Sequence, residues 1–240
     1  MSSLKFTTSW DDGHPLDLKT AELLAKHGCK GTFYVPCTAD PALLPSDLRT
    51  LAQRFEIGGH TLDHLRLPNL PEKEKRRQIV DGKSALEDKL GTTIHGFAYP
   101  GGKHDASCRS IVRDAGFTYA RTVESFALSL RADPFLMPTT LQMYPHSVSA
   151  HFRNFAKRGD WLKRLPAFLI ALSARDLASL LARLLDLADE SAGLLHLWGH
   201  SLDIEMLGLW STLDEFLAHV AERVPLENRV DNLSASIRAA

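Results

Sequence analysis

Hydrophobic and polar positions along the chain alternate between short apolar runs and longer stretches with helical spacing. Leu4-Lys5-Phe6-Thr7-Thr8 reads as a strand, and Pro15 to His27 as a helix with Leu18, Ala21, Leu24 and Ala25 on one stripe and Gly28 as its stop. Gly31 to Val35 is aromatic and β-branched, a second strand closed by Pro36. Helical residues from Pro45 to Arg54 lead into a strand at Phe55-Glu56-Ile57. Asn69-x-x-Glu72 has the form of a capping box, with Pro71 at an early position, and predicts a helix from Glu72 to Leu90 ended by Gly91. The run Lys73 to Arg77 is its solvated face. Ile94 to Tyr99 and Phe117 to Ala120 read as strands, separated by a helix that Asp105 caps and Gly116 ends. Residues 128–140 suggest loops around one strand, and 147–190 are mainly helical. Gly193 to Ser201 is a buried strand, and Thr212-x-x-Glu215 predicts the start of a last helix. Strand-helix-strand alternation of this kind marks an α/β fold with a parallel sheet.

Composition narrows the picture. At 240 residues the chain can form one α/β domain with a large core or two small ones. No internal repeat or low-complexity linker divides it, so a single domain over 1–240 is expected. A formal charge of -1 implies no broad basic face for nucleic acid. The richest apolar stretch, Leu165 to Leu187, is interrupted by Arg175, Asp176 and Arg183. That fits a buried or oligomer-facing helix pair, leaving room for a homo-oligomer, and not a membrane span. The three cysteines, Cys29, Cys37 and Cys108, form no CxxC pattern and read as thiols of a reducing compartment. No basic-then-apolar leader opens the sequence, so a cytoplasmic location is expected.

The chemistry gathers at predicted strand ends. Thr8-Ser9-Trp10-Asp11-Asp12-Gly13-His14 puts two adjacent carboxylates where the first strand turns, the edge on which α/β sheets build active sites. Neighbours on an extended segment point different ways, so one carboxylate can hold a cation while the other stays free as a base. Glu56-Ile57-Gly58-Gly59-His60-Thr61-Leu62-Asp63-His64 carries two histidines at i and i+4, a spacing that on a helical turn puts both imidazoles on one face. Asp12, His60 and His64 together make a two-histidine, one-carboxylate set suited to a divalent metal. In the last strand His196, Trp198 and His200 alternate onto one face.

Thr8 to Gly13 resembles the Thr-Phe-Asp-Asp-Gly motif of the NodB-homology polysaccharide deacetylases, carbohydrate esterase family 4, and Gly59 to His64 resembles that family's His-Ser/Thr-x-x-His motif. The similarity runs from about residue 5 to 125 and resumes near 193. It implies a distorted (β/α) barrel of about seven parallel strands, with 147–190 as extra helices. It implies Asp11 as general base, Asp12, His60 and His64 as ligands of Zn²⁺ or of Co²⁺, Ni²⁺ or Mn²⁺, and a histidine of the last strand as general acid. His200, at the strand's end and within reach of Asp203 or Glu205, is favoured for that role over the deeper His196. The family's Arg-x-Pro-Tyr/Phe-Gly turn reads Ala98-Tyr99-Pro100-Gly101-Gly102 here. Ala98 therefore stands at the arginine position and Gly101 at the aromatic one, and Arg121, at the end of another strand, is the candidate replacement for the missing charge. Tyr99, Pro100 and Gly101 are expected around the substrate, with the Gly101 N–H as an oxyanion donor. The implied activity is metal-dependent removal of an N-acetyl or O-acetyl group from a sugar or small amide. Cyclic ureide or imide hydrolysis, as in allantoinase-like relatives, and a non-catalytic metal- or glycan-binding module are the alternatives.

Overall fold

The structure, a computed structural model, describes residues 4–38, 40–157 and 159–236. The outermost residues of the expected 1–240 domain lie outside the described residues. Seven strands, β1 (Lys5–Asp11), β2 (Thr32–Val35), β3 (Glu56–Gly59), β4 (Gly96–Ala98), β5 (Tyr119–Arg121), β6 (Leu141–Gln142) and β7 (Leu194–Gly199), form one sheet in the order β5-β4-β3-β2-β1-β7-β6. Every pairing in it is parallel. The sheet curls so that a parallel bridge joins Arg121 of β5 to Met137, just ahead of β6. This is the expected distorted (β/α) barrel.

Strand alternation divides the two faces by polarity. Phe6 of β1 meets Phe216 on α10 (Trp210–Arg223), so the odd residues Thr7, Ser9 and Asp11 point inward. The barrel interior is thus polar. It is filled by Tyr34, Tyr119, Glu56 and Asn232, the last reaching Thr7 and Tyr34 from α11 (Asn232–Ser236). The apolar core lies outside the sheet, under α1 (Asp17–Lys26), α2 (Pro45–Ala52), α5 (Ala106–Asp114), α8 (Leu177–Glu190) and α10. The 147–190 segment forms α6 (Val148–Ala156), α7 (Trp161–Ser173) and α8, so its longest apolar run is split between two helices. No helix among the described residues is long and apolar enough to cross a membrane.

Three local expectations are corrected. The helix predicted over 72–90 is α3 (Glu72–Arg76) and α4 (Gly82–Leu90) joined by a π-helical turn, Arg77–Asp81. Its cap is Pro71 with no side-chain bond, because Asn69 stands two residues too early to reach the first amides. The helix expected to start at Thr212 is α10, which begins at Trp210 and is followed by α11, so Thr212 and Glu215 lie inside it and form no capping box.

Candidate active site

Asp11 ends β1, His60 follows β3 and His200 stands between β7 and α9 (Ser201–Met206), so parallel strands deliver all three to one edge. Asp12 continues β1 into a turn at φ +83, held by its N–H donating to the Tyr34 carbonyl (3.1 Å). The two histidines do not share a helical turn, contrary to the i, i+4 expectation. Residues 60–64 form a loop in which Thr61 (φ +68) and His64 (φ +54) take left-handed conformations. Such backbone is costly for residues other than glycine, about 1–3 kcal/mol each, and persists where the surroundings impose it. Here the imposing element is the π turn. Leu62 N–H donates to the Gln78 carbonyl and Asp63 N–H to Gln78 Oε1, both at 2.9 Å, while Gln78 Nε2 returns a bond to Asp63. The wide turn carries Gln78 out to the loop, and Gly82 lets the helix come close. A Cβ there would stand 2.8 Å from Leu62 N and 3.0 Å from the Thr61 carbonyl carbon.

The result is a cluster. Asp12 Oδ1 lies 3.6 Å from His60 Nε2 and 3.2 Å from His64 Nε2, and a ligand atom from each residue falls within 4.8 Å of the other two. The donor set, two imidazole nitrogens and a carboxylate oxygen, is the kind a divalent cation takes. His60 is buried, and its Nδ1–H donates to the Ala98 carbonyl (2.8 Å), which leaves the Nε2 lone pair facing Asp12. Burial pushes the His60 pKa down to about 4, with His64 and Arg121 adding to the effect, so the ring is neutral as a ligand must be. Asp12 Oδ1 is buried without a hydrogen-bond partner in the chain, an acceptor aimed at the place a cation would fill.

Asp11 is the inner carboxylate. Arg121 lies across it, one guanidinium nitrogen bonded to both oxygens, with the guanidinium carbon 5.1 Å from the ring centres of both Tyr34 and Trp198. Burial tends to raise the Asp11 pKa, but Arg121 outweighs it, aided by His60 and His200, and holds the carboxyl below its ordinary value. Arg121 is the register partner of Ala98 on the neighbouring strand. A charge placed at either position enters the same part of the barrel.

The two candidate acids separate cleanly. His196 is fully enclosed, its Nδ1–H donating to the Pro138 carbonyl (3.0 Å) and Nε2 accepting from Ser9 Oγ (2.8 Å). Burial and Arg121 push its pKa down to about 3, leaving a neutral ring with both nitrogens occupied. His200 bonds through Nδ1 to Asp203 Oδ2 (2.8 Å), and its Nε2 looks across 3.8 Å to Asp12 Oδ2. Burial opposes its protonation, but the Asp203 bond and the charges of Asp11 and Asp12 prevail and raise its pKa to about 9. Glu205 turns away to Lys19 and Trp210.

The β4 turn is less uniform. Tyr99 points away from the barrel interior into the apolar core beside α5, its hydroxyl donating to the Phe135 carbonyl (3.3 Å) and its ring against Phe97, so its side chain is part of the packing and not a substrate contact. Pro100–Gly102 is a single 3₁₀ turn with Gly101 exposed at φ +60. Asp17 was not anticipated from the sequence. It is buried behind His200, accepts from Ser201 Oγ, and is pushed up to about 8 by burial together with the Asp12 and Asp11 charges, against the Ser201 bond. In sequence it reads as an acidic residue in the first turn of a helix, a signal no different from a solvated one.

The family model for polysaccharide deacetylase matches residues 5–120. That segment, just under half of the chain, is similar to the polysaccharide deacetylase family. The match takes in Asp11, Asp12, His60, His64 and the β4 turn; Arg121, His196 and His200 lie beyond it. No curated protein matches the sequence. Among solved structures, a Mycobacterium smegmatis protein assigned to the polysaccharide deacetylases aligns with a TM-score of 0.65 at 20% identity, over 93% of this chain and 85% of that one. A family 4 carbohydrate esterase from Streptomyces lividans, solved with acetate, aligns at 0.58 and 14% over 92% and 91%. A Streptococcus pyogenes deacetylase, also solved with acetate, aligns at 0.49 and 17% over 55% of this chain and 62% of that one. The chain thus spans less than two thirds of the streptococcal protein, and what it shares with the other two is the fold.

Proposed function

We propose that this protein is a metal-dependent hydrolase that removes an acetyl group from an amide or ester on a carbohydrate. The observation that carries this reading is the conjunction at one sheet edge of the Asp12, His60 and His64 cluster with a second carboxylate, Asp11, held ionised by Arg121. A site built to bind metal alone has no use for that second carboxylate. Asp12, His60 and His64 hold the cation, with zinc favoured by two imidazoles and one carboxylate. When bound, a divalent metal supplies Lewis acidity toward the acyl carbonyl and the attacking water. Asp11 takes the proton from that water as it attacks. Its depressed pKa keeps it free to accept at neutral pH, and Arg121 fixes its orientation. His200, protonated near neutrality and steered by Asp203, gives its proton to the departing nitrogen or oxygen. The Gly101 N–H, on the exposed β4 turn, offers a donor to the developing oxyanion. Three free thiols, Cys29, Cys37 and Cys108, support a reducing compartment such as the cytoplasm, which fractionation of cells expressing the tagged chain tests.

Elemental analysis of the purified protein, paired with acetate release from a panel of N- and O-acetylated sugars, decides the main question. Expected results are about one divalent metal per chain, loss of metal in His64→Ala, and loss of turnover with metal retained in Asp11→Asn. A chain that binds metal and releases no acetate from any member, or that hydrolyses cyclic ureides instead, overturns the reading.

A further inference from the structure

Beside the β4 turn, at the edge of the sheet that carries the metal cluster, a small cavity opens between the turn and α6. Gly101, Gly102, Lys103 and Val123 line one side, Asn154 and Lys157 the other, and Glu124 completes the wall. Glu124 is largely buried and neutralised, since Arg131 Nε bonds it at 2.9 Å and Arg164 stands 3.6 Å away. The remaining charges are positive. Lys157 contacts the Asn154 side-chain oxygen at 3.5 Å, and Arg66 reaches over the turn, its Nε 3.5 Å from where a Cβ on Gly101 would stand. Among the described residues no carboxylate is within ion-pair range of Arg66, Lys103 or Lys157. In a chain of net charge -1, two lysines without counter-charge thus line one cleft, with Arg66 beside the Gly101 turn next to it.

The cavity also adjoins a departure of this chain from the family pattern. Gly101, one of its lining residues, stands at the aromatic position, and a Cβ there would meet Arg66 Nε and Lys103 Cγ at 3.5 and 4.0 Å, ordinary contact distances. Gly101 is three residues past Ala98, whose carbonyl holds His60. That length of chain spans at most about 10 Å, roughly the reach of a substituent on the same or the next sugar.

We propose that this cavity is a subsite for an anionic group, phosphate or carboxylate, carried by the acetylated sugar, with Lys103 and Lys157 as its contacts. The substrate class becomes an acidic or phosphorylated acetamido sugar, a specification that rests on the deacetylase reading above. Charge-assisted bonds to such a group confer preference over the neutral sugar, and salt weakens that preference because the cations are exposed.

Isothermal titration of the metal-loaded protein with N-acetylglucosamine, its 1-phosphate and an N-acetylated aminouronate tests this. At least one anionic sugar is expected to bind about tenfold or more tightly than the neutral one, and the two anionic arms tell phosphate from carboxylate recognition. The double variant Lys103→Ala/Lys157→Ala is expected to abolish the preference while the neutral sugar's affinity stays unchanged. Equal or absent binding across the three sugars overturns the subsite. So does a preference that survives the double variant, because the metal would then be taking the anion. Acetate release measured on the same sugars separates the two ideas: preference without release overturns the deacetylase reading alone, and release without preference overturns the subsite alone.

Discussion

Replacing Arg121 by Met strips Asp11 of the guanidinium that covers both its oxygens while roughly keeping the volume. The parent pair is fully enclosed. Leaving one partner of a buried pair uncompensated costs about 3–5 kcal/mol, and the contacts with the Tyr34 and Trp198 rings add about 0.5–2 kcal/mol. A loss at the lower end of that sum, about 4 kcal/mol, already lowers the melting temperature of a chain this size by about 8–16 °C. The pH dependence should reverse as well. In the parent, Asp11's depressed pKa contributes stability that is present above its ordinary value of 3.8 and lost as the pH falls through the lower folded value. Without Arg121, burial dominates and raises the Asp11 pKa, so the variant loses stability as the pH rises through that new value. Thermal unfolding at acid and alkaline pH reads this directly. With the base protonated near neutrality, kcat/KM for acetate release should fall by about 10²–10⁴, and the acid limb of its pH profile should move upward. A second variant guards against simple misfolding. Ala98 and Arg121 are register partners on adjacent strands, so Ala98→Arg in an Arg121→Ala background returns the charge to the same carboxylate. It should recover much of both stability and activity. An Arg121→Met protein with unaltered kcat/KM and an unmoved acid limb would refute the assignment of Asp11 as base and of Arg121 as the group that tunes it.

Other expectations follow from single contacts. Asp203→Asn removes the strongest of the groups that raise His200 toward about 9, so the acid deprotonates earlier and the alkaline limb of kcat/KM moves to lower pH; an unmoved limb removes His200 from the role of acid. In the parent, a cation on Asp12 cancels one of the charges that raise His200, so the limb should lie below 9 when metal is loaded. Gly82→Ala presses a Cβ into the backbone of Leu62 and Thr61, so metal affinity should fall about 10-fold or more although no ligand is changed, measured by competition with a chelator. His196→Phe leaves Ser9 Oγ and the Pro138 carbonyl unpartnered in the core, so stability should fall by about 1–3 kcal/mol, while the alkaline limb stays where it is.

Much of this protein was legible in one dimension. The strand-helix alternation, the carboxylate pair at the end of β1, the two histidines after β3 and the missing arginine at Ala98 are all written in short stretches, because strand ends and turns depend on neighbours only a few residues away. The capping boxes at Asn69 and Thr212 failed because a local pattern cannot tell whether tertiary packing starts the helix elsewhere.

What the fold alone decided is pairing across distance. Arg121 meets Asp11 over 110 positions because β4 and β5 run in a register that sets residue 121 beside 98, and nothing near residue 121 encodes that. His196 and His200 share a face of the same strand. They differ because one is sealed between Ser9 and Pro138 while the other emerges at the sheet edge beside Asp203. The His60 and His64 spacing was visible in the sequence, but its cause is a strained loop clamped by a π turn and made possible by Gly82, not a helix. Residue types set which chemistry is available; burial and register, which depend on the whole chain at once, set which of those residues can carry it out.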